Sequence, residues 1–219
     1  MIMASTSQEN LPRHAHISAF LVPIDLPGVS VGSPDKKMGQ SGTQIADVIL
    51  EDVRVPASAL LGGTEGNGFR NAMQALDSGR LSVAAASTGY AKRILEYGLQ
   101  YAMERKAFGE TIANFQLIQA MLADSKAEIY ASECMLQDAT KRADAGERIS
   151  SQAACVKMFA SEMCGRIADR VVQIHGGNGY ALEYEASRLL CDARILNIFE
   201  GAAEIQAQVV AKRKLAEGN

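Results

Sequence analysis

The amino-acid sequence predicts a mainly α-helical fold, a four-helix-type up-down bundle preceded by a truncated β segment. All five prolines of this 219-residue chain lie at or before Pro56, and proline breaks helix interiors. After that point apolar residues recur with the period of a helix, and the links between the periodic stretches are short. We therefore divide the chain into a strand-rich domain over residues 1–64 and a helical domain over residues 65–219.

The first domain reads as strands joined by turns. The apolar run Ile17–Ile24 is followed by the turn sequence Asp25-Leu26-Pro27-Gly28. Residues 46–55 alternate in part between apolar and polar, as a half-buried strand does. So few strands leave open sheet edges that need partners, and this domain therefore looks incomplete.

The second domain carries the apolar stripes of amphipathic helices. A first helix is predicted over about 69–104, because helical period persists there without a breaker. Gly146 is predicted to end the second helix, Ser150 or Ser151 to cap the third, and a final helix to follow Gly201. The two central stripes consist of Ile118, Leu122, Ser125, Ile129, Ser132 and Leu136, and of Ala153, Val156, Ala160, Met163, Ile167, Val171 and Ile174.

Composition narrows the functional classes. A net charge of -3 without a dense Lys/Arg cluster argues against a nucleic-acid partner. No apolar run is long enough to span a bilayer, and Met1–Asn10 lacks the pattern of a signal peptide. The four cysteines include no Cys-x-x-Cys pair, and without a visible secretory signal we expect reduced thiols in a cytosol-like compartment.

His14 and His16 are expected to share one face of a strand, where they could form a pair of metal ligands. No cysteine or acidic cluster joins them in the sequence. We therefore predict a solvated strand at this position and no metal site.

The stretch Ile198–Gln206 contains the strongest candidate for acid-base chemistry. Glu200 follows two large apolar residues and precedes Gly201 and two alanines. Such a setting can remove water from the carboxylate and leave space beside it, and a desolvated carboxylate is a stronger base for a weakly acidic proton. The alternative is a surface glutamate at the start of the last helix, where the helix dipole favours an anion.

Three further motifs each have two interpretations. In Arg105–Gly109, the cations offset a helix dipole and Gly109 ends the helix, or else Arg105 binds a phosphate. The glycines of Gln173–Tyr180 form a helix stop and turn, or else they permit close approach of a ligand. Gly79 costs about 1 kcal/mol in a helix relative to alanine, which points to close helix packing or to space for a ligand.

Taken in order, these motifs resemble the acyl-CoA dehydrogenase family over almost the whole chain. Each motif is weak by itself, whereas the ordered set is highly specific. In the family's terms, residues 1–64 correspond to part of the middle β domain and residues 65–219 to the C-terminal helical domain. The motifs are Met38-Gly39, Val53-Arg54-Val55-Pro56, Leu61-Gly62, Gly66–Phe69, Leu76–Arg80, Arg105–Gly109, Phe115-Gln116, Leu122–Asp124, Gln173–Tyr180 and Ile198–Gln206.

The resemblance implies FAD-dependent α,β-dehydrogenation of an acyl-CoA thioester to trans-2-enoyl-CoA. Glu200 matches the family's base, which removes the α proton while the β hydrogen moves as hydride to the flavin. Some members place the base on the first helix, at the position that Gly79 matches here, so Glu200 is the only matching base. Asp77, Arg80 and Gly201 match substrate-binding positions.

The resemblance also implies FAD as the cofactor and a homodimer or homotetramer, because some family contacts reach the FAD of a neighbouring subunit. Electron-transfer flavoprotein is the implied acceptor. The implied setting is fatty-acid or branched-chain amino-acid catabolism, in the bacterial cytoplasm or the mitochondrial matrix. The matching FAD-contacting positions are Arg105, Phe108, Gln116, Gln173, Gly176, Gly177, Ala202, Ala203 and Glu204.

The sequence departs from the family pattern in two substitutions and in extent. Ala202 replaces a common Thr or Ser, and Cys191 stands where Arg is common before Asp192. The family's N-terminal helical domain and part of its β domain have no counterpart in this sequence, so the chain looks truncated. Whether it is active alone stays open.

Two functions are alternatives to acyl-CoA dehydrogenation. They are a non-catalytic helical oligomerisation module and an acyl-CoA oxidase-like flavoenzyme. Gly79 and the small residues near Gly201 suggest a short or medium acyl chain.

Overall fold

Helices dominate the protein, and short strands are concentrated near its N-terminus, which confirms the predicted fold class. The computed structural model describes residues 1–7 and 11–217. The helices are α1 (Gly68–Glu104), α2 (Gln116–Asp144), α3 (Ser150–His175), α4 (Gly177–Tyr180), α5 (Glu185–Arg194) and α6 (Ala203–Glu217). The strands are β1 (Ile2–Ser5), β2 (Ile17–Phe20), β3 (Val29–Val31), β4 (Val48–Leu50), β5 (Lys106–Ala107) and β6 (Glu110–Thr111). None of the helices in the described residues is long and apolar enough to cross a membrane.

The chain forms two compact units, each described by itself. The strand unit comprises Met1–Lys37 and Ser41–Leu76, and the helical unit comprises Met38–Gln40 and the chain from Asp77 onward. The strands described pair as antiparallel ribbons, β1 with β2, β3 with β4, and β5 with β6. The domain boundary predicted at residue 64 stays a prediction. Each compact unit consists of two separate segments of the chain, so the units do not meet at a single boundary.

Two expectations for the strand unit are wrong. The strand predicted over residues 46–55 is limited to Val48–Leu50, whose side chains are exposed rather than half-buried. Asp52 adopts a φ of 50°, a left-handed conformation that cannot continue an extended strand. His14 has a φ of 68° and stacks on Phe69 with ring centroids 3.9 Å apart, so it lies in a turn before β2. It therefore shares no strand face with His16.

The helical unit is built around α3, which packs against α2, α5 and α6. Every residue of its predicted apolar stripe is buried, which confirms that stripe. Alanine and serine account for many of the buried residues of the helices, and small side chains allow helix axes to approach closely. The central core consists of Val83, Ala91, Ile94, Ile129, Met163, Cys164, Ile167, Ala168, Val171, Ala186, Leu189, Ala193 and Leu196.

The helix ends agree with the sequence at some positions and not at others. The first helix is confirmed, but α1 ends at Glu104, and Gly109 does not terminate it. Phe108 and Gly109, with φ angles of 53° and 90°, instead form the tight turn of the hairpin β5–β6. Gly146 does end α2, with a φ of 76° and the backbone hydrogen bonds of a Schellman motif.

The predicted cap of α3 is wrong. The N-cap position is Ile149, and Ser150 is the first residue of the helix. The Ser150 hydroxyl donates a 2.6 Å hydrogen bond to Oδ2 of Asp77 instead of capping the helix. This serine therefore joins α3 to α1 at one of the predicted site residues.

Candidate active site

Glu200 lies on a tight turn between a short 3-10 segment, Ile195–Asn197, and α6. Its φ is 55° and that of Gly201 is 93°, so two successive residues are left-handed. Glycine adopts this conformation without strain, whereas a glutamate does so only when its surroundings hold it there. The turn therefore depends on the groups that bind it.

Two side chains bind the carbonyl oxygens of this turn. The Lys157 ammonium donates a 2.8 Å hydrogen bond to the Gly201 carbonyl. The Gln206 side-chain amide donates to the carbonyls of both Glu200 and Gly201 at 3.2 Å. The main-chain acceptors of the turn are thereby partnered inside the helical unit.

The Glu200 carboxylate lies against the α1 backbone at Gly79. A Cβ atom at Gly79 would lie 2.5 Å from Glu200 Oε2 and 3.0 Å from its Cδ. Neither interpretation of Gly79 from the sequence describes this contact, because the space beside the glycine holds the candidate base itself. The carboxylate is half-buried there.

The apolar residues that precede Glu200 do not enclose it within this chain. Ile198 is 51% exposed and Phe199 is 41% exposed. The expectation that these two side chains remove water from the carboxylate is therefore not met by their burial in the described structure. The contact with Gly79 covers one side of the group instead.

Asp77 and Arg80 form an ion pair one helical turn apart on α1. The guanidinium NH1 lies 2.8 Å from Asp77 Oδ1, and Ser150 binds the other carboxylate oxygen. Arg80 is only 8% exposed, and its Nε has no hydrogen-bond partner among the described residues. A buried, oriented guanidinium with a free donor is suited to a polar or anionic ligand group.

Lys157 is a site residue that the sequence analysis missed. Its side chain is fully buried in α3, and burial lowers the pKa of its ammonium group. The positive charge of Arg80 lowers this pKa further, whereas the negative charge of Glu200 raises it. These charge effects place the lysine in the same electrostatic cluster as the predicted base. A lysine inside a helix rich in alanine and apolar residues is the signal that could have identified it.

A second group of predicted residues lines a cavity of about 380 Å³. Arg105, Gly176 and Gly177 come together there, although they are distant in sequence. A Cβ atom at either glycine would meet no atom within 4 Å, so the backbone at the junction of α3 and α4 is open to an approaching molecule. The other lining residues are Tyr101, Ile112, Ile174, His175 and Asn178.

His175 has an unpartnered ring nitrogen at this cavity. The ring is 4% exposed and stacks on Tyr97 and Tyr101, with centroids 4.9 and 4.0 Å away. Nδ1 lies 2.7 Å from the Val171 carbonyl, and Nε2 has no partner in the described residues. Burial lowers the pKa of His175, which favours neutral imidazole. With Nδ1–H donating to the carbonyl, Nε2 is then an acceptor.

The comparisons with known proteins identify the family. Residues 66–215 match the model of the acyl-CoA dehydrogenase C-terminal domain. The chain belongs to the acyl-CoA dehydrogenase family. It is 43% identical over 215 residues to the probable acyl-CoA dehydrogenase YngJ of Bacillus subtilis, covering 98% of this chain and 56% of the relative. It is 42% identical over 195 residues to the caffeyl-CoA reductase-Etf complex subunit CarC of Acetobacterium woodii, covering 89% and 51%.

A solved structure agrees with this assignment. The butyryl-CoA dehydrogenase of Megasphaera elsdenii superposes with a TM-score of 0.92 at 36% identity, covering 97% of this chain and 55% of that one. The chain thus spans about half the length of the relatives it matches. These relatives are named as two acyl-CoA dehydrogenases and a subunit of a caffeyl-CoA reductase complex.

Other positions matched to the acyl-CoA dehydrogenase pattern do not join the cavity in the described structure. Phe108 is 97% exposed at the hairpin turn and makes an edge contact with Phe115, with ring centroids 6.1 Å apart. Gln116 at the start of α2 and Gln173 on α3 are also exposed and are not among the lining residues. Ala202, Ala203 and Glu204 follow the Glu200 turn, and of these Glu204 is exposed.

Proposed function

We propose that this chain belongs to an enzyme that converts an acyl-CoA thioester to trans-2-enoyl-CoA by FAD-dependent dehydrogenation, with Glu200 as the base. The supporting observation is the Glu200 carboxylate, which is held against Gly79 on a turn whose carbonyls are partnered. A positioned carboxylate can accept a proton that a carbonyl group acidifies. The family of the chain supplies the reaction class.

The residues near the substrate have different proposed roles. Glu200 accepts the α proton, so the Cα–H bond breaks and its electron pair becomes part of the new double bond. A bound FAD would supply the acceptor for the β hydrogen and its electron pair. The Asp77–Arg80 pair orients the acyl-CoA, since Asp77 fixes the guanidinium and leaves its Nε free to donate. Gly201 adds no side chain beside the base.

The residues at the second cavity fit FAD. The Arg105 guanidinium is suited to a phosphate of the cofactor, and Gly176 and Gly177 permit close backbone approach. The unpartnered Nε2 of His175 can accept a hydrogen bond from a ligand. Phe108, Gln116, Gln173, Ala202, Ala203 and Glu204 remain proposed FAD contacts.

We further propose a homodimer or homotetramer, since the family resemblance assigns the Arg105 and Gly176 cavity to the FAD of a neighbouring subunit. Electron-transfer flavoprotein is the proposed electron acceptor. The name of the relative CarC, a subunit of a reductase–Etf complex, supports such a partner. A short or medium acyl chain is proposed from the small residues near Gly201, with support from the similarity to a butyryl-CoA dehydrogenase.

Anaerobic titration of the purified chain, supplied with FAD, tests this function. Short, medium and long acyl-CoAs are added in turn, while the flavin absorption and the mass of the product are recorded. We expect the flavin band to bleach and the thioester to lose two hydrogens, most readily with the short chains. A protein that takes up no FAD contradicts the proposal and favours the non-catalytic helical module. Rapid reoxidation of the reduced flavin when oxygen is then admitted, without another electron acceptor, favours the oxidase.

A further inference from the structure

We propose that Lys157 and Gln206 are positioning residues that clamp the Glu200–Gly201 turn and so set the place of the Glu200 carboxylate. The two side chains come from different helices, α3 and α6, and converge on one carbonyl oxygen. The catalytic part of this inference rests on the proposed function of Glu200. The structural part does not.

The backbone conformation of the turn has to be stabilised by contacts with other residues. Glu200 is in the left-handed region at a φ of 55°, where side-chain-bearing residues are uncommon. Such conformations persist only where surrounding contacts over-determine them. The three hydrogen bonds from Lys157 and Gln206 to the two carbonyls of the turn are contacts of that kind.

Lys157 is an unusual residue for its location. Lysine is almost never fully buried without a partner, and this side chain is 0% exposed in the third turn of α3. Its hydrogen bond goes to a main-chain carbonyl of the turn and not to the carboxylate. Its charge is balanced in part by Glu200 and Glu204, which both favour the charged ammonium. The lysine therefore acts on the base through the backbone.

Gln206 holds the turn from the other side. Its side chain is 0% exposed, and its amide nitrogen donates to the carbonyls of Glu200 and Gly201. A Cβ atom at Gly201 would overlap this nitrogen, so the glycine is required both by its φ of 93° and by the packing of the glutamine. Gln206 also belongs to the first turns of α6, because its backbone N–H donates to the Ala202 carbonyl.

The position of the carboxylate follows from this clamp. The backbone angles at Glu200 determine the direction of its side chain, which ends against the α1 backbone at Gly79. Three helices thus determine the position of the Glu200 carboxylate. Side chains of α3 and α6 bind the turn, and the backbone of α1 forms the surface opposite. Displacement of a reacting group by about 1 Å can cost about 100-fold in rate.

The test compares Lys157→Met and Gln206→Met with the unmodified chain, and Lys157→Arg with Lys157→Met. Methionine matches glutamine in length, is one atom shorter than lysine, and removes the donors of both, whereas arginine keeps a charged donor. Thr88→Val is the matched control, since it removes a buried hydroxyl that bonds Ala84 and Ser132 and not the turn. Hydrogen–deuterium exchange of the peptide containing residues 198–206 reports the turn directly.

We expect faster exchange in this peptide for both methionine variants and no change for Thr88→Val. With FAD and acyl-CoA present, we expect flavin reduction to slow by about 10-fold to 100-fold while the KM for acyl-CoA changes little. Lys157→Arg should recover part of the rate. Unchanged exchange in folded methionine variants, or an unchanged rate of flavin reduction, overturns the proposal.

The exchange measurement separates this inference from the proposed function. If the unmodified chain reduces no flavin, the proposed function fails, and exchange at residues 198–206 still decides whether the clamp exists. If Lys157→Met does not fold, Gln206→Met provides the same comparison, because it removes two of the three bonds to the turn.

Discussion

The helical unit contains two groups of candidate residues that differ in which of their parts the chain itself holds in place. At the Glu200 turn, the backbone of the candidate base is held, because its carbonyls are bound by Lys157 and Gln206, and both oxygens of Asp77 have partners. The atoms without a partner in the described residues of this group are side-chain atoms away from the base, Arg80 Nε and Gln206 Oε1. At the second cavity, Arg105 is exposed and the Nε2 atom of His175 has no partner in the described residues. Buried polar groups are normally hydrogen-bonded.

This difference suggests that the first group is positioned by the chain itself, whereas the second group needs a bound molecule. The chain positions the candidate base with its own side chains, so the geometry at Glu200 is an internal property of the fold. The cavity at Arg105 presents hydrogen-bond donors, an acceptor and accessible backbone. A second molecule that binds there would supply the missing hydrogen-bond partners. Substitutions should therefore act separately on the two groups, and the following four predictions are ordered from the largest expected effect to the smallest.

Gly79→Ala should displace the base and leave the second cavity intact. The new Cβ meets the far end of a flexible side chain, so Glu200 moves and the fold tolerates the change. We expect the rate of flavin reduction by acyl-CoA to fall by about 100-fold, with FAD affinity unchanged. Stopped-flow absorption measures the rate.

The matched control is Gly89→Ala on the same helix, where a Cβ would meet no atom within 4 Å. Both substitutions raise helix propensity, by up to about 1 kcal/mol, so stability alone does not separate them. Equal rates of flavin reduction in the two variants would show that the contact between Gly79 and Glu200 is irrelevant.

Arg105→Ala should act on the cofactor and not on the base. Loss of a charged hydrogen-bond donor is expected to weaken FAD binding by about 10-fold or more. Lys106→Ala, at the exposed neighbouring position, is the control. Calorimetric titration with FAD gives the affinity, and hydrogen exchange of residues 198–206 should be the same in all three proteins. A loss of protection there would contradict the separation of the two groups.

Ser150→Ala should lower the free energy of unfolding by about 1 kcal/mol, because it leaves one oxygen of Asp77 without its partner. The neighbouring Ser151→Ala serves as the control, and urea unfolding provides the measurement. The structure predicts that Ser150 acts by joining α3 to α1. If Ser150 were instead a helix cap, the loss would be insensitive to the removal of Asp77 in a double-mutant cycle.

The pH dependence of stability should include a contribution from His175. Its pKa in the folded protein is lowered from the ordinary value of 6.5 by burial, so the unfolded chain binds more protons between the two values. The free energy of unfolding should therefore decrease as the pH falls below 6.5 toward the folded pKa, and the contribution is fully present above 6.5. Urea unfolding at several pH values, compared with His175→Phe, measures it, and identical slopes would contradict it.

The sequence predicted the long helices well because they depend on periodicity. The buried stripe of α3 and the glycine end of α2 follow from local rules of spacing and backbone conformation. The predictions that Gly109 ends the first helix and that Ser150 caps the third were wrong. Gly109 belongs to the turn of a hairpin, and Ser150 binds Asp77, which is distant in sequence. The short helix α5, which lies between α4 and the Glu200 turn, was not predicted.

The candidate site was predictable only where a motif carried it. The ordered motifs indicated Glu200, Asp77 and Arg80, and the structure confirms the fold that holds them. Lys157 was missed because no motif contains it, and its partner is a carbonyl 44 residues away. The contact between Gly79 and Glu200 likewise joins two motifs that no local pattern connects.

The most direct test of the account is the rate of anaerobic flavin reduction by acyl-CoA in Glu200→Gln. This change keeps the shape of the side chain and removes its capacity to accept the α proton. The account predicts a loss of about 100-fold to 10,000-fold in the rate, with FAD and acyl-CoA still bound. A variant that reduces its flavin as fast as the unmodified protein would contradict the assignment of Glu200 as the base.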